Sequence, residues 1–331
     1  MSNTLPAAMN AVEISAPGGP GVLKPVQRPL PVVKDHEVMI KVAACGINGP
    51  DIMQRKGLYP APAGASDLPG LEVSGEVVAV GAKAARWKAG DKMVALTNGG
   101  GYAEYVAVHA EHCMPVPAGI GMIDAAGLPE TFFTVWSNVF IGAGLKAGET
   151  FLVHGGAGGI GTTCIQLGKA FGAKVIATDS PEARCRICSE LGADRVIDYR
   201  SEDFVEVVRG EGGANVILDI VGGPNIEKNF KAASHDARII QLAFAAGSKV
   251  EINLMPVMLK RLSYTGSTLR TRPDAYKARV ARELEEKVWP HIAAGRIRPV
   301  THTALPLAEA AKAHALMESS GHTGKILLKT G

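Results

Sequence analysis

The sequence predicts a two-domain α/β protein that combines an antiparallel sheet or barrel with a parallel, doubly wound sheet. The length of 331 residues fits two domains of roughly 100 to 200 residues each. Short apolar runs broken by glycine and proline fill the chain up to about Phe133, whereas strand-like and helix-like stretches alternate between about Gly148 and Gly266. The 39 glycines are spread over both regions and indicate many tight turns.

The first region, from Met9 to about Phe133, has the pattern of short β-strands. The clearest runs are Glu37–Val42, Val73–Val80, Lys92–Leu96 and Tyr105–Val108. Because these runs are short and separated by turn residues, they predict an antiparallel sheet or a barrel.

The second region alternates strands with helices of 10 to 15 residues. The predicted strands are Phe151–His154, Lys174–Thr178, Val216–Asp219 and Arg238–Leu242, and the predicted helices are Ile160–Phe171 and Pro181–Leu191. This alternation is typical of a parallel sheet with helices on both faces.

The last region, Pro273–Gly331, is predicted to contain two helices, at about Asp274–Ala294 and Leu307–Ser319, and a terminal strand, Lys325–Lys329. We expect this region to return to the first domain. The predicted domains are therefore residues 1–133 with 271–331, and residues 134–270.

Composition and charge restrict the classes of function. Basic residues number 35 and acidic residues 32, and the net charge of +3 is too small to form the phosphate-neutralising surface that nucleic-acid binding requires. No apolar run is long enough for a membrane helix, and the first 23 residues lack the Lys or Arg of a signal peptide. The 5 cysteines fit no disulfide framework, so we expect reduced thiols and a cytoplasmic location.

A glycine-rich turn stands between a predicted strand and a predicted helix. Gly156, Gly158 and Gly161 have the spacing G-x-G-x-x-G. Gly156 permits the tight turn, Gly158 lets a pyrophosphate approach the backbone, and Gly161 lets the helix pack closely on the strand. The context favours a Rossmann-type dinucleotide site over a turn without a ligand.

An acidic residue, Asp179, follows at the end of the next predicted strand, where a carboxylate binds the adenosine ribose hydroxyls and favours NAD(H). Arg184, on the next predicted helix, supplies the positive charge that the 2′-phosphate of NADP(H) attracts. These residues leave the choice between NAD(H) and NADP(H) open. Alternatively, Asp179 is a helix-capping or turn residue beside Ser180 and Pro181, with Ser180 as the helix N-cap and Pro181 at the first helical position.

Several short segments carry more specific motifs. They are Gly46–Pro60, Pro69–Val77, Gly101–Tyr105, Leu128–Trp136, the glycine turn and Gly266–Arg270. With these segments the chain resembles, from Met9 to Lys329, the quinone oxidoreductase branch of the medium-chain dehydrogenase/reductase superfamily, and most closely the p53-inducible quinone oxidoreductase group. The resemblance implies a GroES-like β-barrel catalytic domain and a Rossmann domain, with a nicotinamide cofactor in the cleft between them.

The resemblance also implies roles for individual residues. Together with the glycine motif it gives the candidate cofactor-binding residues Asn48, Thr134, Gly156, Gly158, Gly159, Ile160, Gly161, Asp179, Ser180, Arg184, Tyr199, Val221, Gly222, Leu242, Ala243, Phe244, Gly324 and Lys325. Asn48 and Thr134 match residues near the nicotinamide, and Ser180, Arg184 and Tyr199 match the surroundings of the 2′-phosphate. Asp179 departs from NADPH-preferring relatives, which have a small neutral residue there. The candidate catalytic residues are Asn48, Asp51 and Tyr59.

The resemblance further implies chemistry without zinc. Where zinc alcohol dehydrogenases of the superfamily have Cys, His and Cys as ligands, this chain has Asn48, Leu71 and Glu130. Amide and leucine side chains bind zinc poorly or not at all, and no CxxC pair of a structural zinc lobe occurs between Gly90 and Tyr105. An electrophilic quinone needs a hydrogen-bond or proton donor rather than a Lewis acid.

Other patterns are interpreted as structural. Cys185 and Cys188 lie inside a predicted helix and are expected to pack in the core. The cluster of His109, His112 and Cys113 lacks a fourth ligand, so no metal site is expected.

The function expected from the sequence is NAD(P)H-dependent reduction of a small-molecule quinone, in a homo-oligomer such as a dimer or tetramer by resemblance. One alternative is an enoyl or enone reductase of the same superfamily. Another is a cofactor-binding structural or RNA-associated protein, like zeta-crystallin relatives.

Overall fold

The computed structural model describes residues 5–331, so the first four residues of the predicted first domain lie outside the described part. The chain divides into two compact units. Unit 1 contains the residues up to Phe133 with Arg270–Ala294 and Arg298–Gly331, and unit 2 contains Thr134–Leu269 with Gly295–Ile297. The catalytic and dinucleotide-binding roles of these units stay predictions.

Unit 2 is built on a six-stranded sheet. Its strands are β8 (Thr150–His154), β9 (Lys174–Asp179), β10 (Arg195–Asp198), β11 (Ala214–Asp219), β12 (Ala233–Gln241) and β13 (Ser263–Gly266). Every neighbouring pair is parallel, in the order β10-β9-β8-β11-β12-β13. From β8 the chain adds β9 and β10 on one side, and it then crosses to the other side of β8 and adds β11, β12 and β13 there. This order confirms the predicted doubly wound Rossmann sheet.

The helices of unit 2 connect these strands. They are α4 (Gly159–Ala170), α5 (Glu182–Glu190), α6 (Phe204–Gly210), α7 (Asn225–Ala232) and α8 (Met255–Leu259). The central strand β8 is buried along its whole length, as expected of a parallel strand covered on both faces. Leu152, Ile176, Ile217 and Ile239, from four neighbouring strands, meet in one core cluster.

Unit 1 contains a two-stranded and a seven-stranded sheet. Its strands are β1 (Ala8–Ile14), β2 (Leu23–Pro29), β3 (Glu37–Gly46), β4 (Glu72–Val80), β5 (Lys92–Leu96), β6 (Tyr105–His109), β7 (Cys113–Pro115), β14 (Thr301–Pro306) and β15 (Lys325–Lys329). The larger sheet has the order β14-β15-β3-β4-β5-β7, with β6 also on β3. Only β14 and β15 are parallel among these pairs.

Strand β3 is the central element of unit 1 because it changes partners along its length. Its first half pairs with β6 on one edge, and its end at Ala44–Gly46 pairs with β15 on that same edge, while β4 occupies the other. Two register shifts in the β3–β4 ladder increase the local twist. The alternating buried residues Val38, Ile40 and Val42 join the core of this unit.

The helices of unit 1 lie around the larger sheet. They are α1 (Gly49–Arg55), α2 (Met122–Ala125), α3 (Pro129–Val135, whose last two residues belong to unit 2), α9 (Asp274–Glu283), α10 (Trp289–Ala293) and α11 (Ala310–Glu318). None of the helices within residues 5–331 is long and apolar enough to span a membrane.

Some elements differ from the sequence expectation. The predicted helix at about Asp274–Ala294 is α9 and α10 separated by a π-helical segment, Leu284–Val288. Helix α5 begins at Glu182 with Pro181 as N-cap, so the alternative in which Ser180 caps this helix is wrong. The hydroxyl of Ser180 makes no capping bond because the helix starts one residue later.

Candidate active site

The glycine turn lies at the carboxyl end of the central strand β8. Gly155 has a positive φ of 70°, and the N–H groups of Gly155 and Gly156 both donate to the carbonyl of Thr178. A Cβ on Gly161 would lie 2.2 Å from the carbonyl oxygen of Gly155, so only glycine permits this approach of helix to turn. The turn is thus attached to β9 and packed under α4.

The start of α4 is open on its outer side. Gly158 is the N-cap, Gly159 and Ile160 follow it, and all three are partly exposed although the strand before them is buried. A Cβ on Gly158 would meet only the Gly155 carbonyl, at 3.4 Å. The first turn of α4 contains no acidic residue. Backbone N–H groups and the helix dipole there fit a pyrophosphate.

Asp179 links the glycine turn to the next helix. One carboxylate oxygen accepts from the Ala157 N–H (2.7 Å), and the other accepts from the Ser180 N–H (2.8 Å). The Arg184 guanidinium donates to both oxygens, at 2.7 and 3.3 Å. Asp179 is only 3% exposed. Its charge is therefore compensated within the protein, and from the end of β9 its carboxylate binds both the glycine turn and Arg184.

The other adenosine-side candidates surround this pair. The backbone N–H of Tyr199 donates to the carbonyl of Asp179 (3.4 Å), and the Tyr199 side chain is 53% exposed. Ser180 is buried, and its backbone N–H donates to the Asp179 carboxylate. The structure therefore brings Asp179, Ser180, Arg184 and Tyr199 together at the carboxyl end of β9.

Two further candidate loops follow β11 and β12. Val221 and Gly222 donate their N–H groups to the Asp219 carboxylate, at 2.6 and 3.1 Å. The N–H of Leu242 donates to the Asp219 carbonyl (2.9 Å), and Ala243 and Phe244 after it are exposed. A Cβ on Gly222 would lie 2.7 Å from the Phe244 ring, so the two loops are in contact.

Thr134 is held near the end of α3, where its carbonyl accepts hydrogen bonds from two side chains of the following helical segment. It is buried near the end of α3, and its carbonyl accepts from the Asn138 side chain (2.8 Å) and the Ser137 hydroxyl (3.2 Å). The Asn138 amide oxygen accepts in turn from Ser267, just after β13 (2.6 Å). The predicted contact of Thr134 with nicotinamide stays a prediction.

In unit 1, Asn48 belongs to a buried polar group that we call the Glu72 cluster: Asn48, Glu72 and Lys325. The Asn48 amide donates to Glu72 (2.9 Å) and its oxygen accepts from the Lys325 ammonium. That ammonium also lies 2.7 Å from the Glu72 carboxylate and donates to the Ile47 carbonyl (3.1 Å). Glu72 is completely buried, so the amide of Asn48 is held in one orientation.

Lys325 is therefore directed into unit 1 by three partners. Gly324, before it, has a positive φ of 62°, and a Cβ there would lie 2.0 Å from the Val300 carbonyl oxygen. Strand β15 begins directly after this close approach, at Lys325, whose side chain extends to Glu72. The predicted contact of Gly324 and Lys325 with a cofactor stays a prediction.

Asp51 lies one turn into α1 and is completely buried. Its two oxygens accept from the backbone N–H groups of Asn48 and Gly70, each at 2.9 Å. Burial raises the pKa of Asp51 to about 7, although the two N–H bonds act in the opposite direction. The geometry gives this side chain a positioning role between two loops, and a direct catalytic role stays a prediction.

The raised pKa of Asp51 predicts a pH-dependent contribution to stability. The folded protein binds this proton more tightly than the unfolded chain, whose carboxyl has an ordinary pKa of 3.8, so the contribution is complete below about pH 4 and lost as pH rises through about 7. The unfolding free energy of the wild type minus that of Asp51→Asn should therefore fall by about 1 to 3 kcal/mol from pH 5 to pH 8. Urea denaturation of both proteins measures it, and a difference that is constant with pH contradicts the prediction.

The side chain of Tyr59 lies beside that of Arg270. The Arg270 guanidinium lies 5.5 Å from the centroid of the Tyr59 ring. It also donates to the Asn98 carbonyl and to the Gln54 side chain (2.8 Å), and is only 6% exposed. Burial raises the pKa of Tyr59 despite the nearby guanidinium, so the phenol keeps its proton at neutral pH.

The remaining cysteine and histidine patterns show no reactive site. Burial raises the pKa of Cys185 and raises that of Cys188 to about 12, so neither thiol is a ready nucleophile. All five cysteines are free. Burial lowers the pKa of His112 to about 4. Within residues 5–331 no group of three or more His, Cys, Asp or Glu side chains is arranged to hold a metal ion.

Comparison with known proteins identifies the fold and the family. A model described as alcohol dehydrogenase GroES-like domain matches residues 34–118, and one described as zinc-binding dehydrogenase matches residues 159–286. A quinone oxidoreductase from Homo sapiens is 33% identical over 331 aligned residues, which cover 97% of each chain.

Solved structures give the same result. A quinone oxidoreductase from Pseudomonas syringae pv. Tomato DC3000 superposes with a TM-score of 0.87 at 27% identity, covering 97% of this chain and 100% of that one. A mycobacterial protein in complex with NADPH superposes with a TM-score of 0.86 at 29% identity, with the same coverage.

A GroES-like domain followed by a Rossmann sheet with this glycine turn defines a medium-chain dehydrogenase/reductase, an oxidoreductase class that uses a nicotinamide cofactor. Because the likeness extends over the full length at 33% identity, the chain belongs, within that superfamily, to the quinone oxidoreductase family. This confirms the predicted fold class and superfamily.

A zinc ion does not fit the residues that the resemblance matches to the catalytic zinc ligands of alcohol dehydrogenases. The oxygen of Asn48 and the Glu72 carboxylate already accept from the Lys325 ammonium. Leu71 has no donor atom, and the backbone of Glu130 is bonded to Glu72 (2.8 Å). An internal ammonium cation thus occupies the place where a metal would require ligands.

Sequence reasoning did not assign roles to Glu72 or Arg270. Both belong to segments that carry the family resemblance, Pro69–Val77 and Gly266–Arg270, and for Glu72 the available signal was a charged residue between the apolar Leu71 and Val73. Their burial depends on partners far along the chain, which no local pattern reveals.

Proposed function

We propose that the chain is an NAD(P)H-dependent quinone oxidoreductase that works without a metal ion. The observation that carries this proposal is the open N-terminus of α4 at the glycine turn, in a chain that belongs to the quinone oxidoreductase family. A reduced nicotinamide cofactor, when bound, supplies the reducing equivalents. The protein supplies binding, orientation and electrostatic stabilisation.

The candidate residues divide these tasks. The first N–H groups of α4 hold the pyrophosphate, and the residues around Asp179 and Arg184 hold the adenosine ribose. The loops after β11 and β12 line the rest of the cofactor. Asn48, fixed by the Glu72 cluster, presents one amide orientation to the nicotinamide.

Tyr59 and Arg270 are suited to the quinone. The phenol stays protonated at neutral pH, so its hydroxyl donates a hydrogen bond to a quinone oxygen as negative charge develops there. The Arg270 guanidinium beside the ring adds positive potential. Because the raised pKa makes Tyr59 a weak acid, solvent water delivers the proton that completes the product.

Rapid mixing of the protein, NADPH or NADH, and excess 1,2-naphthoquinone tests the function. We expect the fluorescence of the reduced cofactor to fall at a rate that depends on protein concentration. An α,β-unsaturated ketone replaces the quinone in a parallel experiment. A fall with the ketone alone would support the enone reductase alternative, and unchanged fluorescence with both acceptors would overturn both functions.

Asp179 and Arg184 are predicted to set cofactor preference in opposite directions. Asp179→Ala removes a carboxylate that repels the 2′-phosphate, so the ratio of the NADPH to the NADH dissociation constant should fall about tenfold. Arg184→Ala leaves Asp179 uncompensated, so the same ratio should rise about tenfold. Fluorescence titration with both cofactors measures the ratio.

The ratio of the two dissociation constants is the informative quantity because Asp179 also accepts a hydrogen bond from the Ala157 N–H. Loss of that hydrogen bond should weaken the binding of NADPH and NADH equally. Arg186→Ala is the matched control, since Arg186 lies on the same helix with a side chain that is 67% exposed. If neither Asp179→Ala nor Arg184→Ala changes the ratio relative to Arg186→Ala, these side chains do not read the 2′-position.

We also propose that the protein is a homo-oligomer located in the cytoplasm. Strand β13 is an edge of the parallel sheet, and all four of its residues are exposed. Exposed apolar side chains lie just before it in sequence, at Leu254, Met255, Met258 and Leu259. An edge strand, which has one side without a neighbouring strand, favours association with a second copy when apolar side chains lie near it. Light scattering should give at least twice the chain mass of 34.5 kDa, and a monomer mass would contradict it.

A further inference from the structure

A chain of buried hydrogen bonds crosses the carboxyl edge of the parallel sheet in unit 2. We call it the strand-end network; it consists of Thr178 (β9), His154 (β8), Asn229 (α7) and Asp219 (β11). The Thr178 hydroxyl lies 2.9 Å from His154 Nδ1, His154 Nε2 lies 2.8 Å from Asn229 Oδ1, and Asn229 Nδ2 lies 2.9 Å from Asp219 Oδ2. Each side chain is at most 3% exposed.

The donors and acceptors of this network have only one consistent arrangement. A carboxylate accepts only, so the Asn229 amide nitrogen must face Asp219 and its oxygen must face His154. His154 then carries its proton on Nε2 and donates to Asn229, while Nδ1 accepts from the Thr178 hydroxyl. Burial lowers the pKa of His154, which agrees with this neutral ring. Every hydrogen bond therefore points toward the Asp219 carboxylate.

Both ends of the network hold candidate cofactor loops. At one end, the other oxygen of Asp219 accepts from the N–H groups of Val221 and Gly222. At the other end, the Thr178 carbonyl accepts from the N–H groups of Gly155 and Gly156 in the glycine turn. The two loops lie at the point where β8 and β11 are neighbours, which is where the sheet reverses its strand order.

We propose that the strand-end network positions the Val221–Gly222 loop relative to the glycine turn, and that His154 and Asn229 thereby control cofactor affinity without touching the cofactor. His154 is the positioning residue, because it joins the strand that carries the turn to the residues that hold the loop. The proposal rests on the proposed function in that these loops bind the nicotinamide cofactor. The predicted effect of the network on the mobility of the Val221–Gly222 loop can be measured without a cofactor.

Removing the ring of His154 should release the loop. His154→Leu leaves Asn229 and Thr178 without their partner, so amide hydrogen exchange at Val221 and Gly222 in the cofactor-free protein should become about tenfold faster or more. The dissociation constant of the preferred cofactor and its KM should rise about tenfold, with a smaller change in kcat. His154→Gln retains a side-chain N–H donor near the Nε2 position, and should stay within about threefold of the wild type.

Two further variants separate positioning from general destabilisation. Val153→Ala truncates the buried neighbour of His154 in the same strand and lowers stability without touching the network, so its cofactor affinity should match the wild type at temperatures where it is folded. Thr178→Val removes only the hydroxyl at the start of the network and keeps the backbone carbonyl. It should weaken cofactor binding by a few fold. This variant provides the test if His154→Leu does not fold.

The outcomes are distinguishable. Wild-type exchange rates and affinity in His154→Leu, or in Thr178→Val where His154→Leu is unfolded, would overturn the network proposal. So would an equal loss of affinity in Val153→Ala, or a His154→Gln variant as weak as His154→Leu. Failure of the wild type to bind NADPH and NADH would instead overturn the proposed function, while the exchange rates at Val221 and Gly222 would still show whether the network holds the loop.

Discussion

Gly161→Ala is expected to prevent stable folding of unit 2 around the glycine turn, whereas Gly158→Ala is expected to leave the fold intact and weaken cofactor binding. The Cβ of an alanine at 161 would lie 2.2 Å from the Gly155 carbonyl oxygen and 2.6 Å from the backbone of Gly156. Backbone atoms cannot move aside as a flexible side chain can. The expected loss is more than about 3 kcal/mol of unfolding free energy, beyond the usual cost of an overpacked core.

At Gly158 the same methyl group has space in the protein. Its only neighbour would be the Gly155 carbonyl at 3.4 Å, and the φ of −76° suits any residue. The unfolding free energy should therefore change by less than about 1 kcal/mol. If the proposed pyrophosphate site is correct, the methyl group would occupy part of it, so the dissociation constants of NADPH and NADH should both rise at least about tenfold.

The two alanine variants control each other, since they carry the same change three residues apart. Urea denaturation gives their stabilities, and fluorescence titration gives the affinities. Wild-type cofactor affinity in a folded Gly158→Ala protein would show that the turn does not receive the pyrophosphate. Wild-type stability of Gly161→Ala would show that the close packing of α4 against the turn is not required.

The glycine turn could be predicted from the sequence because all its determinants lie in one continuous stretch of chain, from β8 through α4. A buried strand, three spaced glycines and a helix with an apolar stripe define both the geometry and its ligand class. The same locality explains why β5 and β15 begin and end at the residues that their apolar runs predict.

The hairpin of β1 and β2 was not predicted, and the reason is local chemistry. Strand β2 contains Pro25 and Pro29, which remove N–H donors and argue against a strand. The hairpin tolerates them because it is a separate two-stranded sheet with outer edges. The π-helical segment Leu284–Val288 was equally hidden, since its apolar spacing does not differ visibly from that of an α-helix.

The partners of the candidate site residues could not be predicted either. Asn48 and Lys325 are separated by 277 positions, and Arg270 and Gln54 by 216. Only the tertiary fold brings such residues together. The contacts of Asp179 could be predicted only in part. The sequence suggested either a ribose ligand or a turn residue, whereas in the structure its carboxylate accepts hydrogen bonds from both the glycine turn and Arg184.

Lys325→Met is expected to destabilise unit 1 strongly, because it leaves the completely buried Glu72 carboxylate without a countercharge. Glu72 would retain only the Asn48 amide and the Glu130 N–H as donors. Removing one partner of a buried ion pair typically lowers the unfolding free energy by about 3 to 5 kcal/mol. Lys329→Met is the matched control, since Lys329 belongs to the same strand and is exposed, and it should change the unfolding free energy by less than about 0.5 kcal/mol.

The double variant Glu72→Gln with Lys325→Met tests the cause of that loss. A neutral amide at 72 removes the uncompensated charge and can still accept one hydrogen bond, so the double variant should be more stable than Lys325→Met alone by about 1 to 3 kcal/mol. Recovery of this kind shows that the lysine compensates a buried carboxylate. A Lys325→Met protein as stable as Lys329→Met, or a double variant no more stable than the single one, would mean that Lys325 merely fills space at the start of β15. The internal ammonium would then not explain why an asparagine, Asn48, stands where the resemblance implies a zinc ligand.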